Sequence, residues 1–73
     1  MGRLRVLSGR EVVEILATLG FEVVRRRGSH VVVQRRTADG TTTVPVPDHR
    51  ELRVGTLLAV IRQSGAPRAR FEA

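Results

Sequence analysis

The stretch Glu22-Val23-Val24-Arg25-Arg26-Arg27-Gly28-Ser29-His30-Val31-Val32-Val33-Gln34-Arg35-Arg36 decides the fold. Two runs of β-branched and charged residues flank Gly28-Ser29, and glycine supplies the positive φ that a two-residue hairpin turn requires. The reading is a β-hairpin with strands over about 22–27 and 30–36. His30 then opens the second strand directly opposite Arg27. A side chain that changes protonation near neutral pH stands beside fixed cations, a combination suited to chemistry on a phosphodiester.

Downstream, Asp39-Gly40 signals a second hairpin leading into Thr41-Thr42-Thr43-Val44. Pro45 and Pro47 fit only an edge strand or its exit, since proline donates nothing to a ladder. Val54, Leu57, Leu58 and Ile61 recur at helical spacing and predict a helix over about 54–64, ended by Gly65 and Pro67. Upstream, Ser8-Gly9-Arg10-Glu11 has the spacing of a capping box with Ser8 as N-cap. Val12, Ile15, Leu16 and Leu19 continue it as an apolar stripe, Gly20 stops the helix, and Phe21 plugs the core. The order is α-β-β-β-α, an α+β fold with a three-stranded antiparallel meander and both helices on one face. Residues 1–66 are expected to form one domain, and 67–73, which show no periodicity, a loose tail.

Two-residue turns at both hairpins fix a register. Arg27 faces His30, Arg25 faces Val32 and Val24 faces Val33; across the second hairpin, Val33 faces Val46 and Arg35 faces Val44. Alternation sends Val24, Val31, Val33, Val44 and Val46 toward the helices. Arg25, Arg27, His30 and Gln34 take the open face, with Val23 and Val32. A one-residue slip would bury Arg25, Arg27 and His30 at a substantial desolvation cost.

A length of 73 residues allows a single domain with a small core. Cysteine is absent, so disulfides and thiolate metal sites are excluded, and Phe21 and Phe71 are the only aromatics. No apolar stretch approaches membrane-spanning length and no long apolar N-terminal region is present, so a soluble cytoplasmic protein without a membrane partner is expected. The net charge is +6, and all 13 lysine-or-arginine positions are arginine. Arginine stays ionised and grips phosphate with a planar fork, which points to nucleic acid or an acidic protein as partner.

No Ser-His-Asp arrangement, phosphate-cradling glycine loop or paired carboxylates at a useful separation is recognisable. Ser29 is a poor nucleophile for His30, because adjacent strand residues point to opposite faces; its hydroxyl or N–H suits orienting a phosphate. His49 follows the edge strand beside Asp48 and is a candidate accessory residue. His30, His49 and Asp48 match no strong ligand spacing, so no metal or other cofactor is expected. No helix-turn-helix pattern appears, which argues against sequence-specific DNA binding by this chain alone.

Gly20-Phe21, Gly28-Ser29-His30, Thr43-Val44-Pro45-Val46-Pro47-Asp48-His49, Leu52-Arg53-Val54-Gly55-Thr56-Leu57 and Ile61-Arg62-Gln63-Ser64-Gly65 together resemble the HicA toxin family. The resemblance runs in order from about Leu7 to Gly65. It implies a fold like the double-stranded RNA-binding domain and a messenger-RNA endoribonuclease that depends on His30. It also implies a HicB-type antitoxin that masks the active surface. Family members often carry lysine where arginine stands here, and Pro67 to Ala73 runs past their usual end. On that reading His30 is the general acid or base, while Arg25, Arg27, Gly28, Ser29 and Gln34 hold RNA. RNA brings its own nucleophile, the 2′-hydroxyl, so metal-independent cleavage is expected. The alternative is a non-catalytic RNA-binding module, which would tolerate alanine at His30 and lose affinity when Arg25 and Arg27 are neutralised. No strand carries a stacking aromatic, so loose sequence preference follows under either reading.

Overall fold

The computed structural model describes residues 2–73. In chain order it contains α1 (Gly9–Ala17), β1 (Glu22–Arg27), β2 (His30–Thr37), β3 (Gly40–Pro47) and α2 (Val54–Ser64), followed by a 3-10 turn over Arg68–Phe71. The strands form one antiparallel sheet in the order β1-β2-β3. This is the α-β-β-β-α, α+β arrangement that the residue pattern predicts, with Pro45 and Pro47 on an edge strand.

The capping box forms as its spacing requires. The Ser8 hydroxyl accepts the Glu11 N–H at 3.0 Å, and the Glu11 carboxylate accepts the Ser8 N–H at 2.9 Å. The Ser8 backbone bond, then the Ser8 hydroxyl, then the Arg5 charge lower the Glu11 carboxyl from its ordinary value. A depressed carboxyl stabilises the fold above the pKa of the free side chain, about 4.3, and loses that contribution as pH falls through its folded value. Ser8→Ala is therefore expected to lower the urea midpoint at neutral pH and to lower it less near pH 3, read by far-UV circular dichroism.

The first hairpin pairs Arg27 with His30 and Arg25 with Val32, in the expected register. Gly28 takes φ +57° and Ser29 keeps a negative φ, the signs of a type II′ turn. Beyond Arg25 the register shifts: Val23, and not Val24, faces Val33. Val24 is the extra residue of a β-bulge, and it is 42% exposed where a core position was expected.

The second hairpin closes one residue earlier than Asp39-Gly40 suggests. Thr37 pairs with Gly40, so Val33 faces Val44 instead of Val46, and Arg35 faces Thr42 instead of Val44. Ala38 and Asp39 keep negative φ, while Gly40 takes φ +134°. The Thr37 hydroxyl accepts the Asp39 N–H and donates to the Gly40 carbonyl, locking that turn. The displacement is two residues, so each side chain of β3 keeps its face.

Val31, Val33, Val44 and Val46 pack with Val12 and Leu16 of α1 and with Leu57, Val60 and Ile61 of α2 in one core on one face of the sheet. The α2 seam is rotated from the expected stripe. Leu57, Val60, Ile61 and Ser64 are buried, whereas Val54 is 61% and Leu58 36% exposed. The buried seam ends on a polar residue, and Ser64 is accommodated because its hydroxyl donates to the Ile61 carbonyl at 3.1 Å and accepts the Ala66 N–H.

The segment 67–73 is not a loose tail. Phe71 is fully buried in the core, and Leu4 bridges Glu72 in antiparallel fashion. The Arg5 N–H donates to the Phe71 carbonyl and the Ala73 N–H to the Arg3 carbonyl, both at 2.9 Å. The two chain ends clasp each other over the core. Among the described residues, no helix is long and apolar enough to cross a membrane.

Candidate active site

The open face of the sheet is a grid set by the two ladders. One row holds Arg27, His30 and Pro47; the next holds Arg25, Val32 and Pro45; the third holds Glu22, Gln34 and Thr43. Arg25, Arg27, His30, Val32, Thr43 and Pro45 line a shallow groove of about 350 Å³. Val32 is on this face, as alternation predicts, and is only 5% exposed between its cross-strand partners Arg25 and Pro45. It forms an apolar floor beneath charged walls.

The Arg25-Arg26-Arg27 run divides its labour by alternation. Arg26 pairs with Val31 on the helix side, and its guanidinium donates to a single Asp48 oxygen at 2.7 and 3.1 Å. The Asp48 N–H in turn donates to the Ser29 carbonyl at 2.6 Å. Both contacts tie the exit of β3 to the hairpin tip that carries His30. The ion pair is solvent-exposed and contributes no more than about 1 kcal/mol, so its effect is mainly on register at that tip.

Arg25 and Arg27 belong to neither ion pair found among the described residues, Arg26–Asp48 and Arg68–Glu72. Their charges are uncommitted and face the groove beside His30. His30 is exposed and sits at the first position of β2. The arrangement can bind a phosphate between two guanidiniums and present an imidazole to it.

The remaining candidates are distributed around this groove. Gly28 and Ser29 form the turn at its end, with nothing within 4 Å of where a Gly28 Cβ would stand. Gln34 lies outside the groove lining and donates its amide to the Thr43 hydroxyl at 3.1 Å. His49 is absent from the lining; its carbonyl accepts the Gly9 N–H at 2.9 Å. His30, His49 and Asp48 do not converge, and among the described residues no three His, Cys, Asp or Glu side chains do.

Two contributors escaped the sequence reading. Thr43 lines the groove, but it stands within a run of three threonines that gives no sign of which one matters. Gly9 is buried against the end of β3, where an added Cβ would lie 1.9 Å from the Pro47 carbonyl oxygen. Only glycine permits that approach, which seats α1 under the segment carrying Asp48 and His49.

A family model described as the HicA toxin of bacterial toxin-antitoxin systems matches residues 9–66. The chain belongs to the HicA toxin family. Among curated proteins, none matches this HicA chain. The matched span runs from the start of α1 past the end of α2, and all six groove residues fall within it. The clasp of Leu4 with Glu72 lies outside it, as do Leu7 and Phe71 of the core. Membership makes this HicA chain the toxin member of a toxin-antitoxin system and implies an antitoxin partner.

Proposed function

We propose that this toxin is a metal-independent endoribonuclease that cleaves messenger RNA in the cytoplasm with His30 as general acid or base. The observation that carries the reading is the exposed His30 at the hairpin end, in one groove with uncommitted Arg25 and Arg27. The α-β-β-β-α order, shared with the double-stranded RNA-binding domain, supports RNA as the ligand.

In the reaction, the RNA 2′-oxygen attacks the adjacent phosphorus and loses its proton. The bond from phosphorus to the 5′-oxygen breaks, and that oxygen gains a proton. His30 performs one of these transfers, worth about a hundred- to ten-thousand-fold in rate. Arg25 and Arg27 stabilise the charge that builds on the phosphate. Gly28 and Ser29 orient the phosphate from the turn. A HicB-type antitoxin silences the enzyme by laying an acidic surface over the same face, an association steered by charge and weakened by salt.

The purified chain is expected to cut a 5′-labelled RNA in the presence of EDTA, leaving 2′,3′-cyclic phosphate or 3′-phosphate ends. Products with a 5′-phosphate and a 3′-hydroxyl, or activity lost to the chelator, would overturn the mechanism.

A further inference from the structure

The groove holds more than a phosphate site. Beside His30 and the two arginines, its floor is Val32, nearly inaccessible to water, and its far wall is Pro45 and Thr43. Val32 and Pro45 are direct cross-strand partners, so their apolar surfaces are contiguous. Thr43 is the one neutral hydroxyl in this lining. Its oxygen accepts the Gln34 amide at 3.1 Å, which uses one acceptor site and leaves the O–H and a second lone pair. Gln34 and Thr43 are themselves cross-strand partners, so the ladder fixes their spacing and Gln34 limits where the hydroxyl proton points.

An apolar floor flanked by a guanidinium and an oriented hydroxyl is the chemistry that receives an unstacked nucleobase. The face of the base rests on exposed Pro45 and on the small accessible edge of Val32 beside it, Arg25 stacks or hydrogen-bonds at its border, and a hydroxyl reads one position on its edge. We propose that Val32, Pro45 and Thr43 form a nucleobase subsite next to the scissile phosphate, with Thr43, held by Gln34, setting a preference for one base. This subsite rests on the RNA-binding half of the proposed function but needs no cleavage.

The test measures binding in a His30→Ala background, using fluorescein-labelled homotetraribonucleotides of A, C, G and U and fluorescence anisotropy. The subsite requires that the four be ranked. Thr43→Val is expected to weaken the preferred oligomer about three- to tenfold, the range of one hydrogen bond, while the weakest changes less than about twofold. Thr43→Ser, which keeps the hydroxyl, retains the ranking, and Gln34→Leu reduces it. Equal affinity for all four bases, or an equal loss on all four in Thr43→Val, overturns the subsite. A chain that cleaves RNA but fails this test leaves the nuclease standing. One that ranks the oligomers but never cleaves leaves the subsite standing.

Discussion

Phe71→Ala is expected to destabilise the fold by about 3–5 kcal/mol, the usual result of emptying a buried phenylalanine site. Phe71 is fully buried and heads the largest wholly enclosed side chains, which include Leu7, Leu16 and Leu57. A domain of 73 residues has roughly 4–11 kcal/mol of total stability, so one such loss brings the chain close to unfolding. Deleting 67–73 should do at least as much, because it also removes the backbone bonds to Arg3 and Arg5. Urea denaturation followed by far-UV circular dichroism measures both variants. A truncated chain with an unchanged midpoint would show that the clasp is dispensable.

His30→Ala is expected to lower cleavage about a hundred- to ten-thousand-fold, the contribution of one positioned acid or base. Folding should be almost untouched, since exposed positions free of special contacts change stability by about 0.5 kcal/mol or less. Arg27→Ala should behave differently. It removes an uncommitted charge from the groove and so weakens RNA binding as well as the chemical step. The split between rate and affinity therefore separates a proton carrier from a phosphate ligand. A module that only binds RNA would show the opposite pattern, indifferent to His30 and sensitive to Arg27.

The first hairpin and its open face were legible because Gly28 is the only residue there suited to a positive φ, and that turn fixes the register from Arg27–His30 to Arg25–Val32. That is why Arg25, Arg27 and His30 share one groove as alternation implied. The bulge left no mark in the sequence: Val23 and Val24 are the same residue, so composition cannot say which is inserted. At the second turn, Asp39-Gly40 looks stronger than Ala38-Asp39, yet Gly40 supplies its positive φ from the first position of β3. The slip did no harm to the site because it was even. Phe71 was missed because a lone aromatic among arginines and alanines has no period to betray its burial. Gln34 illustrates a subtler limit: alternation put it on the correct face, but only side-chain geometry shows it engaging Thr43 behind the groove wall.

The most direct measurement is single-turnover cleavage of one RNA oligonucleotide in EDTA by the intact chain and by its His30→Ala variant, with the affinity of each measured on the same RNA. The variant's rate is expected to be lower by at least about a hundredfold, at an affinity within a few-fold of the parent. Equal rates for the two proteins would rule out His30 as the proton carrier.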